Sequence, residues 1–178
     1  MRYVILLLMA FSFIAWQNST WKEFTSYEGR FRILAPGEME LKTRTIETAI
    51  GDIDYFTYLY QPEEKNPDNL AYMISYCDYP EYSVHSDSSD LIMAFFNTTV
   101  ETAIKSVEGE LMYTTDIQLE QQYPGRLWRI NYNEDQASIK TKAYLVGRRY
   151  YSVQAITIRG KSLNPYIDKF LDSFSLIE

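Results

Sequence analysis

The sequence predicts an α+β domain: a single antiparallel sheet of about six to nine strands with two helices packed on it, an α/β/α sandwich. Three observations carry this. Residues 110–158 hold successive runs of alternating polarity separated by turn residues, which is a strand meander. Two segments, about 88–107 and 164–174, repeat apolar residues at helical spacing. The run Leu70–Asp78 is apolar on both alternating sets, so it needs cover on both faces and belongs inside the sheet.

The elements follow in order. Trp21–Ser26 and Arg30–Ala35 flank Glu28-Gly29, a turn signal, and Pro36-Gly37 ends the second strand. Leu41–Ala49 is β-rich but polar, which suits an edge strand. Gly51-Asp52 turns the chain into Ile53–Tyr60, and the polar stretch Gln61–Asn69, with Pro62 and Pro67, is a loop. After Leu70–Asp78 comes a loop over Tyr79–Ser86. A helix follows, with Asp87 as its expected cap and Ile92, Phe96, Val100, Ala103, Ile104 and Val107 as its apolar stripe. Gly109 ends it.

In Glu110–Gln121, Leu111, Tyr113, Thr115, Ile117 and Leu119 are expected on one face. Pro124-Gly125 reads as a type II turn leading into Arg126–Asn133. Ala137–Val146 and Arg149–Ile158 complete the meander, joined at Gly147. The last helix has Asn164 as cap, Pro165 in its first position and Ile167, Phe170, Leu171 and Phe174 as its apolar face.

Composition removes several classes of function. Of 178 residues, 17 are Lys or Arg and 24 are Asp or Glu, a net charge of −7. That balance opposes nucleic acid and anionic membrane surfaces as partners. One Cys and one His exclude a Cys/His zinc cage, an internal disulfide and a Cys-ligated iron–sulfur cluster. Cys77 lies in an apolar stretch and reads as a packed, inert thiol.

Met1-Arg2-Tyr3 is followed by an apolar run from Val4 to Ile14 that stops at Gln17-Asn18-Ser19-Thr20. A membrane span needs about 20 apolar residues, and this run is shorter. Residues 1–18 therefore read as a secretory signal peptide or N-terminal anchor, and 19–178 as one domain with no membrane span in the mature chain. The expected location is exported, periplasmic or extracellular.

Several motifs resemble a known group. Trp21-x-x-Phe24, Gly29-Arg30-Phe31-Arg32-Ile33 and Ala35-Pro36-Gly37 resemble the opening of a broad set of exported bacterial domains. So do Tyr123-Pro124-Gly125-Arg126, the Tyr144–Tyr151 hairpin and the closing Phe170-x-x-Ser173-Phe174. The element order is similar to the PsbP-like α/β/α sandwich, whose founding member is an extrinsic photosystem II subunit. The resemblance implies a non-catalytic binding or assembly module, here of a bacterial envelope, with another envelope protein as partner. It transfers no functional residue, because no ligand motif of that group matches position by position.

The residues themselves offer few reactive sets. Asp78, Glu81, His85, Asp87 and Asp90 form an acidic loop, but their spacing fits no metal motif, so neither metal nor cofactor is expected. There is no Gly-x-Ser-x-Gly elbow, and Cys77 and His85 lie eight positions apart across a loop with no activator for the thiol. The surplus is tyrosine, 16 in all, a residue favoured at recognition surfaces. Tyr76, Tyr79, Tyr82 and His85, beside the acidic loop, are the first candidates for a ligand or partner surface. Arg148 and Arg149 at a hairpin tip are the second. The alternative to a binding module is a small-molecule-binding protein or weak hydrolase using this Tyr/acidic cleft.

Overall fold

The computed structural model describes residues 21–48 and 50–177. The expected leader and its boundary at residue 18 lie outside the described residues.

Seven strands form the main antiparallel sheet: β3 (Glu40–Thr48), β4 (Gly51–Tyr60), β5 (Ala71–Asp78), β6 (Glu110–Leu119), β7 (Tyr123–Tyr132), β8 (Ala137–Val146) and β9 (Arg149–Ile158). Their order is β3-β4-β5-β9-β8-β7-β6. The polar β3 is an edge strand and the doubly apolar β5 is interior, as their patterns predict. The first two strands, β1 (Lys22–Ser26) and β2 (Phe31–Ala35), do not join this sheet. With β10 (Ser175–Leu176) they make a three-stranded sheet laid over one face. The two helices are α1 (Ser89–Ser106) and α2 (Pro165–Asp172).

Alternation of side chains divides the sheet into two faces. One face presents Tyr72, Ile74 and Tyr76 of β5 with Tyr151, Val153 and Ala155 of β9. The small sheet and α2 cover it, burying Phe31, Ile33, Ile167, Phe170 and Leu171. Here α2 follows its sequence signals: Asn164 accepts from the Tyr166 amide at 3.1 Å and Pro165 opens the helix. Lys140 and Lys142 of β8 reach Asp168 and Asp172 of α2 at 2.5 Å each. The opposite face presents Cys77, Trp128, Ile130, Ala143, Leu145 and Tyr150, which pack with Phe96 and Val100 of α1.

Three local expectations are corrected. The cap of α1 is Ser88, one residue past Asp87, and it makes no side-chain capping bond. Pro124-Gly125 is not a turn. Both residues pair with β6, as Pro124 with Gln118 and Gly125 with Ile117. The chain instead turns through Glu120, Gln121 and Gln122: the first two are left-handed, with φ of 53° and 56°, and the Gln122 amide donates to the Leu119 carbonyl at 3.1 Å. In the β1–β2 turn the left-handed residue is Arg30, with φ 55°, while Gly29 is required for close approach. A Cβ there would lie 2.5 Å from the Phe31 ring.

The single-faced reading of β6 also fails. A bulge between Leu111 and Tyr113 shifts the register, so Leu111 packs on the α1 side and Ile117 and Leu119 on the other. One inserted residue reverses every side chain beyond it.

Candidate functional site

Helix α1 is seated off-centre. Its buried residues Phe96 and Val100 meet β7 and β8, and Arg126 of β7 lies over the Phe96 ring at 5.9 Å. Arg126 is held there by Asp116 at 2.6 Å and Asn97 at 3.2 Å. The other flank of the helix, with Leu91, Ala94, Phe95, Thr98 and Thr102, overhangs β9, β5, β4 and β3 without filling the space beneath. The result is a cleft of about 1010 Å³ between helix and sheet.

Its floor is built by register. Lys42, Thr57, Ser75 and Ser152 are successive cross-strand partners on β3, β4, β5 and β9, and all four line the cleft. They form a row of short polar side chains running across the strands from the Lys42 end. Thr57 and Ser75 share a hydrogen bond of 2.8 Å. Longer side chains border the row on each side: Leu59, Met73 and Gln154 on one, Arg44, Tyr55 and Tyr150 on the other. Short residues between taller rows make a trough. Tyr79, Ser83 and Val84 of the loop after β5 wall one end. Phe95 meets Tyr79 edge-on at 5.4 Å and Tyr150 at 5.8 Å, fixing that wall to the helix.

The charge of the lining is one-sided. Lys42 and Arg44 line the cleft, and among the described residues no Asp or Glu does. Lys42 lies 3.7 Å from Glu40, with both side chains more than half exposed. Arg44 has no ion-pair partner among the described residues. The remaining polar groups are neutral. Burial, then the nearby Cys77 and Tyr79, pushes the Tyr55 hydroxyl far above its ordinary value. Tyr79 is raised by burial and Cys77, against an opposing hydrogen bond with Tyr55. Burial also raises Tyr150 and pushes the Cys77 thiol up to about 12, against a hydrogen bond from Tyr55. A thiol so placed carries negligible thiolate at neutral pH and is a poor nucleophile.

The sequence candidates are dispersed. Tyr79 lines the cleft. His85 and Arg148 lie where the loop after β5 meets the β8–β9 hairpin, and Tyr82 reaches instead to the β3–β4 turn. Tyr82 is 78% exposed and donates to the Ile50 carbonyl at 2.9 Å. The His85 Nδ1 accepts from the Asp87 amide at 3.2 Å and lies 3.4 Å from the Asp87 carboxylate. Arg148 lies 4.0 Å from Glu81.

Tyr76 and Arg149 are on the opposite face. Tyr76 is stacked on Phe56 with centroids 4.9 Å apart, and Arg149 lies over its ring at 5.0 Å. Arg149 grips both oxygens of Asp78, at 2.7 and 2.6 Å, and donates to the Glu28 carbonyl at 2.7 Å. It ties the small sheet to the large one. The acidic loop does not converge either: among the described residues, no three His, Cys, Asp or Glu side chains are grouped so as to hold a metal ion.

Sequence reasoning missed Lys42, Arg44, Thr57, Ser75 and Ser152. A signal was present in β9, where Tyr150, Ser152 and Gln154 alternate with the apolar Tyr151, Val153 and Ala155. That such residues line up across four strands depends on register, which a single chain does not display.

With the fold and cleft described, the chain can be compared with known proteins. No protein-family model matches the chain and no curated protein is similar to it. Among solved structures it is similar to the solution structure of cyanobacterial PsbP (CyanoP) from Synechocystis sp. PCC 6803. The TM-score is 0.55 at 12% identity, over 89% of this chain and 93% of that one. The chain therefore has the PsbP-like α+β fold. At this identity the likeness concerns architecture alone. No helix among the described residues is long and apolar enough to cross a membrane.

Proposed function

We propose that this chain is an exported binding module that works without covalent chemistry and holds its ligand in the cleft between α1 and strands β3, β4, β5 and β9. The carrying observation is the cleft itself: about 1010 Å³, at the upper end of pockets that enclose small molecules, about 300–1,000 Å³. Apart from Lys42 and Arg44, its polar groups are neutral hydroxyls and one amide. The one thiol is held protonated, and the one histidine lies on the outer loop away from it. The leader-like residues 1–18 support export, and an envelope protein that delivers or receives the ligand remains the expected partner.

The test is native mass spectrometry of the purified domain after incubation with a lipid-and-metabolite extract of the envelope. The wild-type chain should retain one bound species per chain. The Thr98→Trp variant, which places an indole in the cleft from an exposed helix position, should lose it. Identical spectra from the two chains would overturn the proposal.

A further inference from the structure

The cleft's charge is opposite to the chain's. The protein carries −7 overall, with 24 acidic residues against 17 basic. Among the described residues no Asp or Glu lines the cleft, while Lys42 and Arg44 do. Both stand on the edge strand β3, two residues apart and on the same face of the sheet, at one end of the cross-strand rows. From there the floor runs across β4 and β5 to β9, three interstrand steps or roughly 14 Å at about 4.8 Å each. Along that path the walls are apolar or aromatic: Leu59, Met73 and Leu91, then Phe95 and Tyr150. The Thr57 and Ser75 hydroxyls in the floor are engaged with each other and do not require a polar guest. An elongated apolar body fits this trough, and an acidic group fits its β3 end.

We infer that the ligand is an amphipathic organic anion, an elongated apolar chain ending in a carboxylate. The carboxylate sits at Arg44 and Lys42, and the chain lies beneath α1. This rests on the cleft being the binding site. The guanidinium of Arg44, free of any acidic partner among the described residues, presents a planar fork suited to a carboxylate. Lys42 adds a second charge, since its contact with Glu40 is long and exposed. The selectivity is against neutral analogues, which bury the same apolar area but gain nothing at β3, and against cationic ones, which are repelled.

The test uses dodecanoate and dodecanol, equal in body and different in head, titrated by calorimetry into the wild-type chain and two variants. Dodecanoate should bind at least about tenfold more tightly than dodecanol, an advantage expected of two partly exposed charges. The double variant Lys42→Gln/Arg44→Gln should lose that advantage while leaving dodecanol binding unchanged. Both substitutions are at exposed positions of an edge strand, so folding is preserved. Raising salt from about 50 mM to about 500 mM should weaken dodecanoate selectively. Equal binding of the two probes would overturn the anion inference and leave the cleft standing. Binding of both that survives Thr98→Trp would place them elsewhere and overturn the inference as well. If neither probe binds, the inference is overturned, and the extract experiment separately decides the cleft.

Discussion

The two faces of the main sheet are finished in opposite ways. On the α2 face, aromatic rings interlock without a gap. Phe31, wholly buried, meets Phe24, Tyr58, Tyr76, Tyr151 and Phe174 with centroids 5.8 to 6.3 Å apart. Hydrogen bonds then fasten the small sheet down: Tyr151 donates to the Gly29 carbonyl at 2.8 Å, and Ser26 and Tyr58 share a bond of 3.1 Å. On the α1 face one helix of 18 residues packs down only on the β7–β8 side, and beneath its other flank Thr57, Ser75 and Ser152 leave a trough between longer side chains. Both faces belong to the same strands, so strand propensity cannot account for the difference. It lies in which residues occupy alternate positions and in how far each cover extends. One face is packed along its length, whereas the other is packed against α1 only around Phe96 and Val100 and is open beside them.

If that division is right, the largest loss comes from truncating the hub of the closed face. Phe31→Ala should cost about 3–5 kcal/mol in urea unfolding. Met73→Ala, at the half-buried cleft floor, should cost about 1 kcal/mol, because its side chain already borders open space. Equal losses would dissolve the contrast between the faces.

Gly125 probes the joint between β7 and β8. A Cβ there would lie 2.5 Å from the Tyr144 ring and 2.6 Å from the Ala143 carbonyl oxygen. Tyr144 in turn is stacked on Phe174 with centroids 5.7 Å apart and cannot easily withdraw. Gly125→Ala should therefore destabilise by about 1–3 kcal/mol; an unchanged urea midpoint would show that this face can yield.

Arg149→Gln removes the clamp between the sheets. The loss should be about 1–2 kcal/mol, moderated because the Asp78 side chain is 58% exposed. The pH dependence gives a sharper reading. Hydrogen bonds from Arg149, the largest influence, hold the Asp78 carboxyl below its ordinary range. Its contribution is full above the unfolded value of about 3.9 and is lost as pH falls through the lower folded value. Between about pH 5 and about pH 2 the wild-type unfolding midpoint should drop more than that of Arg149→Gln. Parallel curves would remove Asp78 from the clamp.

The smallest expected effect is that of Thr98→Trp on stability, within about 0.5 kcal/mol, since the residue is exposed beside empty space. A loss as large as that at Gly125 would mean that the α1 face is as tightly fitted as the other.

Much of this architecture could be read along the chain. Strand β5 shows its interior place because Tyr72, Ile74 and Tyr76 are apolar while Ala71, Met73 and Cys77 are too, and only a doubly covered strand tolerates that. Asn164-Pro165 opens α2 because a short amide acceptor and a fixed φ are local properties. The polar β3 marks an edge for the same kind of reason. The bulge at Met112 escaped because alternation either side of it looks continuous, and the register shift is defined only against β7. Pro124-Gly125 misled because a strong turn pair was outweighed by pairing with β6.

Periodicity, caps and composition thus determine the elements and their order along the chain, since each depends on residues close in sequence. Only the tertiary structure decides that Lys42, Thr57, Ser75 and Ser152 stand in one row, that β1 and β2 leave the main sheet, and that α1 packs on β7 and β8 while leaving a cleft over β3, β4, β5 and β9. Those facts depend on register and on where a cover comes to rest. Both are settled by contacts between residues far apart in sequence, such as Ser75 with Ser152 in the row and Arg32 with Ser175, 143 positions apart, in the small sheet.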